Sequence, residues 1–258
     1  MMLKDKVIVI TGASSGIGAL AAKFLSDQGA IPVLTARSLD KLKSVGAQLT
    51  GVHDLIMMDV TKQEQVQQVM KQIIDRYGRI DILLNNAGFG KFDSILEMPV
   101  DEFSDMMDVN YMGTVRCTKA VLPFMLERGE GQIVNVASMA AKIGTARSTS
   151  YTATKHAVYG FSNSLRQELR GTGITVSTVN PGPIDTPFFE LADPSGKYLS
   201  NINWFIMKPE YVAHKMIRLM KHKQEEINLP WLAAAGMRLY QLFPRLADKL
   251  THKMLNKK

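Results

Sequence analysis

The chain has 258 residues, 46% of them hydrophobic and 21% charged, with a formal net charge of +7. That apolar fraction excludes a disordered chain, and no apolar run approaches the roughly 20 residues a bilayer crossing needs. The excess charge sits at one end. Residues 1–207 carry 20 Lys and Arg against 20 Asp and Glu, and residues 208–258 carry 11 against 4, unlike the spread basic face of a nucleic-acid binder.

Short β-branched runs at 6–11, 31–36, 55–58, 80–84, 132–137, 174–179 and, more weakly, 226–229 alternate with helical periodicity at 17–28, 63–77, 103–127, 151–170 and 210–222. This order predicts one doubly wound α/β domain over residues 1–230, a parallel seven-stranded sheet flanked by helices, followed by an extension over 231–258. The first apolar run, Val7-Ile8-Val9-Ile10, is short of the 7–15 residues of a signal-peptide core. Cys117 is alone and cannot form an internal disulfide, which fits a reducing, cytoplasmic setting. Histidines 53, 156, 214, 222 and 252 have no ligand spacing, and no metal is expected.

In such sheets ligands lie beyond the carboxyl ends of the strands. The first run ends in Thr11-Gly12-Ala13-Ser14-Ser15-Gly16-Ile17-Gly18 and passes straight into a helix. Glycines there let backbone approach a pyrophosphate and aim helix amides at it, although the spacing is not the G-x-G-x-x-G fingerprint. The second run ends in Ala36-Arg37-Ser38, where an enzyme using NAD carries an acid for the ribose hydroxyls. Alanine cannot serve, whereas the Arg37 guanidinium suits a 2′-phosphate, and NADP(H) is the expected cofactor. The competing reading of Arg37 is an ordinary surface cation. Asp59-Val60 and Asn85-Asn86-Ala87-Gly88 follow the third and fourth runs. Asp59 either accepts from the adenine amino group or caps the next helix, and the asparagines either face a ligand or shape a turn.

The fifth run ends in Val136-Ala137-Ser138, and thirteen residues later stands Tyr151-Thr152-Ala153-Thr154-Lys155. Tyr and Lys at i and i+4 share one helix face. An ammonium beside a phenol favours phenolate, and bringing Tyr from near pKa 10 to neutrality takes roughly 4 kcal/mol of differential interaction. The pair therefore suits proton exchange with a carbonyl or alcohol oxygen. Tyr211 and Lys215 repeat the spacing, but without a serine-bearing strand end before them, and are read as structural.

Taken in order, Thr11-Gly12-x-x-x-Gly16-x-Gly18, Asn85-Asn86-Ala87-Gly88, Asn110, Ser138 with Tyr151-x-x-x-Lys155, and Pro181-Gly182 resemble the short-chain dehydrogenase/reductase family over at least residues 4–190. The resemblance implies Tyr151 as acid/base, Ser138 as the hydroxyl that polarises the substrate oxygen, and Lys155 as the group that lowers the Tyr pKa and holds the nicotinamide ribose. It implies that Asn110 holds a water linking Lys155 to solvent, and that Pro181, Gly182, Ile184 and Thr186 receive the carboxamide and pyrophosphate. Ala36-Arg37 resembles the NADP-preferring branch. A small carbonyl or secondary alcohol substrate and a homodimer or homotetramer through 103–127 and 151–170 are implied with it. Rival expectations are an NADP-binding sensor without turnover and a peripheral membrane reductase of a lipid ketone.

Two further segments bear on the substrate. Residues 187–207 hold Phe188, Phe189, Leu191, Tyr198, Trp204, Phe205, Ile206 and Met207, an apolar loop fit to close over an apolar substrate. Leu239, Phe243, Leu246, Leu250 and Met254 fall at steps of three and four, with Arg238, Arg245, Lys249 and Lys253 toward another face. This predicts a basic amphipathic helix, begun or kinked at Pro244, that docks on protein or on a membrane surface. The tail resembles that of ketosphinganine reductase-like oxidoreductases.

Overall fold

The structure is a computed structural model that describes residues 2–194, 196, 205–242 and 245. The β-branched runs form β1 (Val7–Thr11), β2 (Ile31–Ala36), β3 (Asp54–Met57), β4 (Ile82–Asn85), β5 (Gly131–Val136), β6 (Ile174–Pro181) and β7 (Glu226–Leu229). They make one seven-stranded sheet in the order β3-β2-β1-β4-β5-β6-β7, with every neighbouring pair parallel. The order reverses between β1 and β4, and a crevice opens there at the carboxyl ends.

The helices are α1 (Gly16–Ser26), α2 (Leu39–Gly46), α3 (Gln63–Tyr77), α4 (Val100–Met107), α5 (Gly113–Arg128), α6 (Thr149–Glu168), α7 (Phe188–Ala192), α8 (Pro209–His222) and α9 (Trp231–Leu242). Because successive strand side chains point to opposite faces, Ile8 and Ile10 of β1 join Leu25 of α1 and Met216 of α8 in one core. Val7 and Val9 join Met70 of α3 and Val121 of α5 in the other. Both strand faces are covered, which is why these runs read as continuously apolar. Cys117 lies wholly inside the second core, where burial pushes its thiol up to about 12.

At the amino end of the sheet, away from the crevice, the buried Asp81 carboxylate accepts from the Val7 N–H at 2.9 Å. It also pairs with Lys6 at 3.2 Å and Arg79 at 3.0 Å. Chemistry-bearing groups gather instead at the carboxyl end.

Four elements differ from the expected ones. The stretch read as one helix over 103–127 is α4 and α5 separated by a π turn at Asp108–Met112. Two short helices, α2 and α7, occupy segments where no helix was expected. A helix the sequence reading did not place, α9, begins at Trp231, immediately after Pro230. Residues 243, 244 and 246–258, which hold most of the expected amphipathic tail, and Tyr198 and Trp204 of the loop lie outside the described residues.

Candidate active site

The turn from β1 into α1 is built on steric need. Gly12 and Gly16 have φ of +65° and +57°, a region that L side chains avoid. A Cβ at Gly12 would stand 2.7 Å from the Ala87 Cα, and one at Gly18 would stand 2.5 Å from Asn86 Nδ2. The ends of β1 and β4 can therefore touch only without those side chains. Thr11 fastens the junction: its Oγ1 accepts from the N–H groups of Asn86 and Ala87, each at 3.0 Å. The Asn86 amide donates to the carbonyls of Thr11 and Gly12 at 3.0 and 3.1 Å, so Asn86 braces the glycine turn as well as lining the crevice. Asn85 turns inward and donates to Asn135 and Thr118.

The crevice is a cavity of about 1350 Å³. Ser14, Ser15, Gly16 and Ile17 line it, and the α1 N-cap, Ser15, makes no side-chain capping bond. The first-turn amides of α1 thus have no side-chain acceptor, which leaves a site suited to an anion. Thr186 faces them across the cavity, its methyl 3.7 Å from where a Gly16 Cβ would be. Arg37 and Lys41 line the far end, both exposed, and among the described residues neither has an ion pair. Lys41, on α2, carried no signal in the sequence because α2 itself did not. Asp59 and Val60 line the same end. Asp59 Oδ1 accepts from the Thr61 N–H and hydroxyl, both at 2.9 Å, a local turn ahead of α3, whose N-cap is Lys62 and not Asp59.

At the opposite end the cavity receives β5, α6 and the β6 turn. Ser138 donates to the Pro181 carbonyl at 3.3 Å and accepts from the Ala140 N–H at 3.1 Å. Tyr151 and Lys155 stand one turn apart near the start of α6, with Lys155 Nζ 5.7 Å from the phenol ring centroid. Lys155 donates to the Val136 carbonyl at 2.9 Å, and burial pushes its ammonium down to about 8. Tyr211 and Lys215 have a similar 5.3 Å approach, but on α8 and not among the residues lining the cavity. Spacing alone makes the pair; strand order makes the site.

Asn110 does not line the cavity. It lies in the π turn behind Gly88, where a Cβ would come within 2.9 Å of its Oδ1. Its amide exchanges bonds with the Phe89 N–H and carbonyl at 2.9 and 2.8 Å and donates to Thr154 at 3.0 Å. Asn110 thereby ties the end of β4 to α6 beside Lys155. Pro181, Gly182 and Ile184 line the cavity, and Gly182 donates to the Leu229 carbonyl at 2.8 Å.

The wall around Tyr151 is aromatic: the rings of Phe92 and Phe188 lie 5.9 and 5.6 Å from it. Gly90 makes room, since a Cβ there would be 2.6 Å from Phe188. Leu232, Met237 and Tyr240 of α9 also line the cavity. Nothing in the spacing signals that, because 231–237 is apolar on every side and shows no face. The whole set fits a dinucleotide: uncapped amides and positive-φ glycines at the middle, cations without carboxylate partners at one end, and a hydroxyl, a phenol and an ammonium at the other.

The short chain dehydrogenase family model matches residues 6–195. An uncharacterized oxidoreductase of Bacillus subtilis (strain 168) is 35% identical over 260 residues, covering 98% of this chain and 73% of the relative. A short-chain dehydrogenase from Streptomyces avermitilis superposes with a TM-score of 0.84 at 27% identity, covering 98% of both chains. An alcohol dehydrogenase from the archaeon Thermococcus sibiricus, complexed with 5-hydroxy-NADP, superposes with a TM-score of 0.77 at 30% identity, covering 87% of this chain and 95% of that one.

Proposed function

Because this chain belongs to the short-chain dehydrogenase/reductase family, we propose that it is an NADP(H)-dependent oxidoreductase of apolar carbonyl compounds and the corresponding alcohols. The observation that carries the reading is that Ser138, Tyr151 and Lys155 open into the same cavity as the uncapped amides of α1. A binding module has no use for a phenol and an ammonium in that place.

Gly12, Gly16 and the first turn of α1 hold the pyrophosphate, and Thr186 closes over it. Arg37, with Lys41 beside it, recognises the 2′-phosphate; the Thermococcus neighbour's bound NADP derivative supports this choice. When bound, the reduced nicotinamide supplies the hydride that reduces the substrate carbon. The Ser138 hydroxyl leaves the Pro181 carbonyl to donate to the substrate oxygen, and Tyr151 gives that oxygen its proton. Lys155 holds the nicotinamide ribose and, while protonated, makes the phenol more acidic. Its lowered pKa of about 8 keeps this ammonium closer to titration than an exposed lysine. Phe92, Phe188, Leu232 and Met237 exclude water and take an apolar substituent. The same family reading carries a homodimer or homotetramer.

The test is a carbonyl panel followed at the NADPH absorbance. Tyr151→Phe is expected to lower kcat at least 1000-fold while NADPH binding changes less than about threefold. Retained turnover overturns the assignment of Tyr151. Arg37→Ala is expected to raise KM for NADPH about tenfold or more and leave KM for NADH unchanged, since a charge-assisted bond is worth about 1.5–3 kcal/mol. An equal rise for both cofactors removes the 2′-phosphate role. Tight NADPH binding with no turnover on any carbonyl favours the sensor reading.

A further inference from the structure

We propose that α9 is a docking surface for an anionic phospholipid bilayer, which it meets with the face opposite the cavity. Apart from Arg238, Tyr240 and Gln241, the helix Trp231–Leu242 is built of apolar residues and one glycine. One side is accounted for: Leu232, Ala233, Gly236, Met237 and Tyr240 line the cavity. At about 100° per residue, Trp231, Ala235, Arg238 and Leu242 fall within about 60° of one another on the far side, apolar residues around one cation. Among the described residues nothing covers them: Trp231 is 68% and Leu242 70% exposed. Large apolar side chains set around a cation on a helix face are normally covered by an apolar phase with a polar boundary.

Charge decides what covers it. Residues 231–258 carry six Lys and Arg against one Asp. A two-fold contact between copies through this face would set that excess against itself, whereas anionic headgroups attract it. Tryptophan beside basic residues is the composition of helices that lie in the membrane interface. No described helix is long and apolar enough to cross a membrane, so the helix lies on the surface. Leu232 both lines the cavity and is 66% exposed, which puts the cavity mouth next to the docking face. An apolar carbonyl compound dissolved in the bilayer then enters without crossing water, a consequence that rests on the carbonyl reading; the docking itself does not.

The experiment uses full-length protein with Trp204→Phe, which leaves Trp231 as the one tryptophan of the two in the sequence. It is mixed with vesicles of phosphatidylglycerol and phosphatidylcholine in equal parts, or of phosphatidylcholine alone. The expected result is co-sedimentation and a blue shift of Trp231 emission with the anionic vesicles only, lost at about 1 M salt. Leu242→Glu is expected to lower the vesicle-bound fraction at least tenfold without changing NADPH binding in buffer. A Tyr151→Phe chain is expected to bind vesicles as the unaltered protein does, so a failure of catalysis and a failure of docking are separable. Protein that stays in the supernatant with anionic vesicles overturns the proposal. So does a Leu242→Glu variant whose one effect is to turn a dimer into a monomer, because a second copy is then what covers the face.

Discussion

Lys155 shows how a single side chain can oppose folding and serve chemistry. It is 5% exposed, and its ammonium donates to the Val136 carbonyl. Burial brings its pKa from 10.5 to about 8, so the folded state disfavours the charged form by about 3 kcal/mol. Replacing it by Met removes that cost but leaves the carbonyl unpaired, a loss of about 1–2 kcal/mol. Lys155→Met is therefore expected to be more stable than the unaltered protein by about 1–2 kcal/mol at pH 7, and to lose turnover. The pH dependence has a definite sign. Between about 8 and 10.5 the unfolded chain binds more protons at this site than the folded one, so the unaltered protein gains stability as pH rises through that window. The advantage of the variant should shrink over it. Urea unfolding of both proteins at pH 7 and pH 10 measures the change; a constant gap means that Lys155 is not both charged and buried.

Among the elements, the π turn at Asp108–Met112 does the positioning that a regular helix could not. It swings the Asn110 amide out of the α4–α5 line, where it holds Phe89 on one side and Thr154 on the other. Asn110→Ala leaves the partly buried Phe89 N–H and carbonyl without these partners. The expected loss is about 1–3 kcal/mol of stability, with a larger proportional loss in kcat than in NADPH affinity because the end of β4 shifts beside Lys155. Asn110→Asp, which keeps an acceptor for the Phe89 N–H, should recover part of the stability. Thermal unfolding and single-turnover rates together check this, and unchanged values for both would assign Asn110 no positioning role. The turn was not legible in the sequence, since apolar residues keep helical spacing straight through 103–127 and nothing marks the extra residue. The strands were legible because burial on both faces demands β-branched runs, and β2 and β7 run between the residues expected. Helix α2 has only Leu39, Leu42 and Val45 to signal a face, and α9 has apolar residues on all sides. The glycine turn and the Ser138, Tyr151 and Lys155 set could be read because steric and chemical need admits few substitutes. Asp59 could not, since the carboxylate that lines the crevice also closes a local turn with Thr61.

On the scale of the whole molecule, the far edge of the sheet controls whether the cavity has its last wall. Strand β7 pairs with the rest of the sheet through β6 alone, and α9 follows it directly after Pro230. Glu226 fastens that edge. It pairs with Lys142 from the turn after β5, accepts from the Tyr159 hydroxyl of α6 at 3.1 Å, and accepts from the Asn228 amide at 2.7 Å. Lys142 Nζ also lies 4.7 Å from the Tyr159 ring centroid. Burial pushes the Glu226 carboxyl up, but the bonds from Lys142 and Asn228 outweigh it and hold the group below its ordinary value. A depressed carboxylate contributes stability that is complete above the unfolded pKa, near 4.5, and is lost as pH falls through the folded one. Glu226→Gln, which keeps the shape without the charge, is expected to cost about 1–3 kcal/mol at pH 7. That deficit should close below the unfolded pKa as the unaltered carboxyl takes up its proton. Because the fastening holds β7 and, through it, α9, hydrogen exchange at pH 7 should quicken in 226–242 of the variant before it quickens in β1 or β4. Exchange that rises evenly over the sheet would mean that the C-terminal wall is not a separate unit, and that the cavity opens only when the whole domain does.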